Sequence, residues 1–170
     1  MMKKQDEQRL KLAPKLRFKG FTDDWEQRKI KDLALESIGG GTPSTKTRKF
    51  WHGEIPWIQS SDIQEDSIEL YNFNKFITSE AIENSSAKLI KSNSIAIVTR
   101  VGVGKVSIIH KTYSSSQDFL NLIDVQGDIN FVAQLIKNAM NKEKRYLQGT
   151  SIKGIPNKMV LNKKLLLLII

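Results

Sequence analysis

The chain has 170 residues and a formal net charge of +9, and its 39% hydrophobic and 26% charged content is typical of a globular rather than a disordered protein. It contains no cysteine, which excludes disulfides and thiolate metal sites. Because the start lacks the apolar stretch of a secretory signal and the closing LLLLII is far shorter than the ~20 residues that span a bilayer, we expect a cytoplasmic protein without a membrane partner.

The positive charge lies at both ends of the chain. Residues 1–50 carry 13 Lys/Arg against 7 Asp/Glu, and residues 129–170 carry 8 against 1. Residues 51–128 are acidic, with 6 against 10. Basic ends around an acidic middle indicate a polyanionic partner, with nucleic acid the leading candidate. Ordinary solubilising charge is the alternative.

In chain order, the highly charged residues 1–20, which include Pro14, predict an N-terminal arm. FTDDW, residues 21–25, predicts a helix or turn entry with Thr22 as its cap. The apolar side chains that should seat the next segment on the core are Trp25, Ile30, Leu33 and Leu35.

The glycine-rich loop GGGTPSTKT, residues 39–47, superficially resembles a phosphate-binding P-loop. Aligned on Gly40, however, it places Thr45 where the motif requires a second glycine. Pro43 also removes one of the amides that would have to donate to phosphate. A nucleotide-hydrolysing P-loop is therefore excluded.

Periodicity predicts the elements that follow the loop. Residues 54–63 alternate apolar and polar positions like a half-buried strand, and residues 78–90 predict a short helix capped by Thr78 or Ser79. Residues 94–111 give the clearest β signal, two apolar runs around a Gly-x-Gly turn. A hairpin is favoured there over a dinucleotide fingerprint, because Ser107 occupies the position of the third glycine.

The last third of the chain predicts a strand, a long helix and an apolar tail. DFLNLIDV, residues 118–125, reads as a buried strand. Residues 129–147 have the best helical pattern, with Asp128 as cap and Gly149 as stop. The apolar end is expected to be covered by the core or by a partner, because exposure would promote association.

These elements predict an α/β (α+β) fold with a mainly antiparallel or mixed sheet and a few packed helices, since hairpin-like turns separate the strands more often than helices do. We assign residues 21–162 to one domain and residues 163–170 to a short apolar C-terminal tail.

Few residues suggest chemistry. His52 and His110 lack a ligand partner at helical or hairpin spacing. An acidic cluster, Asp62, Glu65, Asp66 and Glu69, leaves open a small metal-dependent nuclease that uses Asp62, Glu65 and Asp66, although a polar loop explains it equally well. The sequence favours a binding module, with no metal site and no cofactor.

Several runs resemble target recognition domains of the specificity subunit of type I restriction-modification enzymes. The family's leader is similar to PKLRFKGFTDDWEQRKIKDL (14–33), and its G-G-T-P-S loop with the W-x-G-x-I-P-W-I run is similar to GGGTPSTKTRKFWHGEIPWIQSSDI (39–63). Its central hairpin and next strand resemble TRVGVGKVSII and YSSSQDFLNLI, and its closing segment resembles QGTSIKGIPNKMVLN (148–162).

The resemblance implies a non-catalytic, sequence-reading role. Such subunits carry two target recognition domains, each reading half of a bipartite site in double-stranded DNA, while methylation (M) and restriction (R) subunits do the chemistry. This chain holds one such domain and does not continue into the family's Pro-x-x-x-E-Q stretch and long helix. A half-subunit, a truncated product, an excised domain, pairing with a second copy, and an interaction fragment that reads no DNA all remain open.

The resemblance also gives meaning to the polar loop residues. The glycine-rich loop is suited to duplex phosphates through Thr42, Ser44, Thr45 and Lys46, with charge from Arg48 and Lys49. Alternatively, Gly39 to Gly41 only shape a tight connection. Trp51 and Trp57 are expected to be core aromatics. Candidate base-reading residues at loop ends are Gln59, Ser60, Ser61, Arg100, Lys105, Ser115 and Gln117. Lys153 in the closing segment completes the DNA-binding set.

Overall fold

The structure, a computed structural model, describes residues 25–147 and 154–168. Within these ranges the chain forms nine strands and three α-helices, joined by loops and short 3-10 turns. The strands are β1 (Trp25–Lys29), β2 (Ala34–Gly39), β3 (Trp51–Ile58), β4 (Lys75–Ile77), β5 (Ser94–Val98), β6 (Val106–Ile109), β7 (Ser114–Ser115), β8 (Phe119–Val125) and β9 (Lys164–Leu168). The helices are α1 (Ser79–Asn84), α2 (Ile129–Leu147) and α3 (Asn157–Leu161). The predicted α+β class is confirmed.

The largest sheet has four antiparallel strands in the order β2-β8-β5-β6. The hairpin predicted over residues 94–111 is confirmed as β5 and β6, and the strand predicted over residues 118–125 is confirmed as β8. Gly102 and Gly104 in the hairpin turn have φ angles of 88° and 105°, which glycine adopts without a Cβ clash. Every residue of β5 and β6 is buried, so both faces of this hairpin are covered.

Helix α2 covers one face of the four-stranded sheet and has the predicted bounds. Asp128 caps it as predicted, because its Oδ1 accepts a hydrogen bond from the amide of Phe131 at 2.7 Å. Its buried side chains are Val132, Ala133, Ile136, Ala139 and Met140. They pack with Ile95 and Ile97 of β5, whereas Ala96 and Val98 face the opposite side of the sheet, as the two-residue period of a strand requires.

The opposite face of the sheet packs on a second sheet, ordered β4-β3-β7. β3 pairs with β4 in the antiparallel sense and with the two-residue β7 in the parallel sense. The strand predicted over residues 54–63 is therefore real, but it starts earlier and gives way to a 3-10 turn at Ser60–Asp62.

Helix α1 lies where a helix was predicted, and Thr78 is its cap, with Oγ1 accepting from the amide of Ala81 at 3.2 Å. It is shorter than the predicted 78–90. Ser85 explains the early end, because its hydroxyl bonds the carbonyl of Ala81 and accepts from the amide of Ala87, which competes with continued helix.

The described ends of the chain pair with each other in an antiparallel ribbon of β1 and β9. The predicted N-terminal arm (1–20), most of the entry predicted over residues 21–25 and the helix stop Gly149 lie outside the described residues. Trp25, at the end of that entry, begins a strand rather than a helix or turn. Ile30 and Leu33 are buried as predicted, but Leu35 is 75% exposed, so its predicted core position is wrong. Leu165 of β9 is buried in the main core, so part of the apolar tail is covered by this fold. In the described part of the chain, no helix combines the length and apolarity needed to cross a membrane.

Candidate nucleic-acid interface

Five strand ends meet at one edge of the fold. Because β2, β8, β5 and β6 are antiparallel neighbours, the carboxyl ends of β2 and β5 lie beside the amino ends of β8 and β6. The carboxyl end of β3 joins them, since the amide of Ser116 donates to Ile58 O at 2.9 Å. The loops leaving these ends carry seven predicted residues, here named the strand-end surface: Thr42, Gln59, Ser60, Ser61, Arg100, Lys105 and Gln117.

Hydrogen bonds join the loops of the strand-end surface. Lys105, half-buried, donates from Nζ to Ser60 O at 3.2 Å and ties the hairpin turn to the end of β3. Thr42 Oγ1 donates to Gln117 Oε1 and ties the glycine-rich loop to the start of β8. Arg100 is exposed, and its Nε lies 3.9 Å from Asp118 Oδ1. The structure therefore brings side chains from four distant parts of the sequence onto one surface.

Close backbone packing explains why two of the three residues that open the glycine-rich loop are glycines. A Cβ on Gly40 would lie 2.0 Å from Ser116 O, and one on Gly41 would lie 1.9 Å from Ser86 O. The amide of Gly41 donates to Ser115 O at 2.8 Å. These glycines thus shape a tight connection, and any contact of this loop with DNA depends on the side chains that follow.

Two tryptophans hold the glycine-rich loop in place. Trp57 is buried, as predicted, and its Nε1 donates to Gly41 O at 3.1 Å. Trp51 is only half-buried, and its Nε1 donates to Ser44 O at 3.1 Å. The two rings meet edge to face with centroids 5.2 Å apart. β3 is irregular between the two tryptophans, since its register shifts between Trp51 and Ile55, and both indoles nevertheless donate to the loop.

Beyond the loop lies an open groove of about 730 Å³, here named the loop groove. It is lined by Thr45, Arg48, Trp51, His52, Gly53, Asn74, Lys75 and Phe76. The loop exposes the side chains of Ser44, Thr45, Lys46 and Arg48. Lys49 is exposed too, but it forms an ion pair with Glu80. The loop groove therefore adds cationic and aromatic side chains beside the strand-end surface.

Lys75 connects the loop groove to the strand-end surface and was not predicted from the sequence. Its Nζ lies 5.5 Å from the ring centroid of Trp57 and donates to Gln59 Oε1 at 3.0 Å. The register of β3 against β4 sets this position, because Trp57 and Lys75 are direct partners. No local sequence signal distinguishes this lysine, since the pairing joins residues far apart in the chain.

Ser115 does not fit the predicted surface. It is fully buried, and its Oγ accepts from Asn121 Nδ2 at 3.0 Å. Asn121 Oδ1 also accepts from the hydroxyl of Tyr113 at 2.8 Å, and burial raises the pKa of that hydroxyl. A side chain locked in this interior network cannot present itself at a DNA groove. Lys153 lies outside the described residues, and its role stays a prediction.

Two carboxylates of the acidic cluster, Asp62 and Glu65, are engaged in structural contacts. Asp62 Oδ2 accepts from the amide of Gln59 at 2.9 Å, and Asp62 Oδ1 accepts from Asn74 Nδ2 at 3.0 Å. Glu65 pairs with Lys144 at 2.7 Å, and this hydrogen bond and the lysine charge lower its pKa. Across residues 25–147 and 154–168, no group of three or more His, Asp or Glu side chains could hold a metal ion. These contacts give the nuclease alternative no support.

Comparison with known proteins gives a family match over nearly the whole chain. The family model described as "Type I restriction modification DNA specificity domain" matches residues 22–167. The chain is 33% identical over 130 residues to the type I restriction enzyme MjaIX specificity subunit of Methanocaldococcus jannaschii. That match covers 75% of this chain but only 29% of the relative.

Solved structures share the fold. The S subunit of a type I restriction-modification system from M. genitalium superposes with a TM-score of 0.59 at 15% identity, over 92% of this chain and 37% of that one. A chain from a structural study of complex assembly in the type I R-M system has a TM-score of 0.63 at 14% identity, over 96% of this chain and 38% of that one. At such identities the likeness establishes the fold, and the chain spans well under half of each comparison protein.

Proposed function

The chain belongs to the family of type I restriction-modification DNA specificity domains, and on that basis we propose that it binds double-stranded DNA sequence-specifically through the strand-end surface. The loop groove extends this contact along the sugar-phosphate backbone. In this division, the uncharged side chains of the strand-end surface reach base edges, while its exposed cation Arg100 and the cations and hydroxyls of the loop hold phosphates.

One observation carries the proposal, namely the meeting of five strand ends at a single edge. The ends supply amide, hydroxyl, guanidinium and ammonium groups, which are the groups that hydrogen-bond to base edges and phosphates. Hydrogen bonds such as that of Lys105 to Ser60 O keep the loops together before any ligand arrives. A preorganised surface loses less entropy on binding than separate mobile loops would.

We also propose that the chain is itself non-catalytic and directs separate methylation and restriction subunits to the DNA that it reads. The family assignment and the likeness to the MjaIX specificity subunit support this division of labour. Because the chain corresponds to 29% of that relative's length, its docking to such partners is part of the proposal and is tested separately below.

Salt dependence of DNA binding tests the proposal. Fluorescence anisotropy of the chain with mixed-sequence duplexes should show log Kobs falling linearly with log salt, with a slope of about −0.9 per neutralised phosphate. Arg48→Ala and Arg100→Ala should each make the slope shallower by about one contact, because both cations are exposed at the proposed interface.

Lys91→Ala is the matched control. Lys91 is equally exposed but precedes β5, at the end of the strand opposite Arg100, where it pairs with Asp124 at 3.3 Å. This variant should keep the wild-type slope. Absence of binding to any duplex at low salt, or equal slopes for Arg100→Ala and Lys91→Ala, would refute the proposed interface.

A further inference from the structure

Within the strand-end surface, the side-chain amide of Gln59 is the one that hydrogen bonds hold most firmly in one orientation. Its Oε1 accepts from Lys75 Nζ at 3.0 Å, and its Nε2 donates to Ser61 Oγ at 3.0 Å. Its backbone is fixed as well, since the amide N donates to Asp62 Oδ2 at 2.9 Å and the carbonyl accepts from the amide of Asp62 at 2.9 Å. The side chain is half-buried where β3 ends.

Lys75 determines which way the amide of Gln59 points. An ammonium has only donors, so the amide atom facing it must be the oxygen, because the flipped amide would place two donors against each other. A serine hydroxyl both donates and accepts and can therefore serve Nε2. Oε1 and Nε2 each retain one further hydrogen-bonding capacity, since a side-chain amide offers two acceptor sites and two donors.

An amide held in one orientation distinguishes adenine from guanine. Adenine presents a donor at N6 and an acceptor at N7 in the major groove, which match one acceptor and one donor side by side. Guanine presents acceptors at both O6 and N7, so one would face the oxygen of the fixed amide. We propose that Gln59 is the side chain that reads an adenine in the DNA half-site, an inference that rests on the proposed function.

The glycine-rich loop and Trp57 support Gln59 indirectly, through contacts that position its side chain. Trp57 donates to Gly41 O and carries the Lys75 ammonium over its ring, and Lys75 in turn orients Gln59. This chain of contacts makes Lys75 and Ser61 positioning residues for Gln59. It also gives the neighbouring W-x-G-x-I-P-W-I run a role in specificity without direct contact with a base.

Selection from randomised duplexes tests the assignment. The wild-type chain should enrich a motif containing one position fixed as A·T. Gln59→Ala should relax discrimination at that position alone, by about 5- to 150-fold, the range that a bidentate pair to a base supplies. Gln59→Glu, which keeps a partner for Lys75 but offers only acceptors, should shift that position towards cytosine.

A chemical substitution in the DNA then identifies the contact. Replacing the selected adenine by 7-deazaadenine removes the N7 acceptor, so it should weaken wild-type binding but leave Gln59→Ala no weaker than on the natural site. Gln126→Ala is the control, because this exposed glutamine follows β8 at the end opposite the strand-end surface. It should enrich the wild-type motif.

The outcomes separate the two claims. If the wild-type chain enriches no motif, the proposed function fails and the assignment of Gln59 fails with it. If a motif is enriched but Gln59→Ala and Gln59→Glu leave every position unchanged, only the assignment is overturned. The same holds if 7-deazaadenine weakens Gln59→Ala as much as wild type.

Discussion

Three adjacent glycines, Gly39 to Gly41, lie in very different surroundings. A Cβ on Gly39 would make ordinary contacts, with its nearest neighbour Asn157 Nδ2 at 3.7 Å. A Cβ on Gly41 would lie 1.9 Å from a backbone oxygen, and one on Gly40 would lie 2.0 Å from another. Backbone atoms cannot swing aside as a flexible side chain can, so only the second and third glycines are sterically required.

Alanine substitutions along the run should therefore differ. Gly41→Ala should destabilise the protein by about 1–3 kcal/mol or more, because the loop must shift away from Ser86. Gly39→Ala is the internal control and should stay within about 1 kcal/mol of wild type. Urea unfolding measures both, and equal stability of the two variants would contradict the steric argument.

The burial of a single side chain was predictable where its own size and polarity determine it. The buried Trp57 follows from its size and its place in an alternating strand. Ser115 was misjudged because a serine normally indicates exposure, whereas here an interior network with Asn121 satisfies it. Lys75 was missed because its importance comes from its cross-strand partner Trp57, which no local pattern reveals.

Elements with strong local signals were predicted well. Helix α2 has a clear apolar face and a capping aspartate, so both its type and its bounds followed from the sequence. The β5–β6 hairpin combines apolar runs with a glycine turn. By contrast, β7 has two residues and exists only because it pairs in parallel with β3, more than 50 residues earlier, so periodicity could not detect it.

The β1–β9 ribbon is a second case in which pairing decides the structure. The apolar end of the chain was predicted to be covered, and β9 achieves this partly, with Leu165 buried at 7% exposure and Leu166 exposed at 37%. Alternation along the strand produces this difference, because successive side chains point to opposite faces. The segment therefore contributes to the core through alternate residues.

Neighbouring leucines in β9 should consequently respond differently to truncation. Leu165→Ala should cost about 2–5 kcal/mol of unfolding free energy, because it leaves a cavity in the main core. Leu166→Ala should cost much less, since its side chain is already partly in water. Thermal or urea unfolding compares the pair, and equal losses would show that β9 does not pack as described.

At the scale of the whole molecule, the net charge is +9, but not every cation is equally available to attract a polyanion. Several lysines pair with carboxylates, including Lys144, which lies beside Gly104 of the hairpin turn, with Glu65, and Lys163 with Glu143. Lys46 and Arg48 make no ion pair with any described residue. The charge of these two loop cations is therefore available to a polyanion, and the counts along the sequence alone could not distinguish paired from unpaired cations.

The proposed division of labour predicts that DNA reading and subunit docking use different surfaces. A double charge reversal, Arg100→Glu with Arg48→Glu, should abolish DNA binding, because it replaces exposed cations of the interface by anions that repel phosphate. Co-elution of the same variant with the cognate methylation subunit should persist, since docking would occur away from the strand ends. Methyl transfer to the selected duplex should require both polypeptides and should be lost with the variant. Methylation of that duplex by the methylation subunit alone, or loss of co-elution together with DNA binding, would show that the chain does not direct its partner in this way.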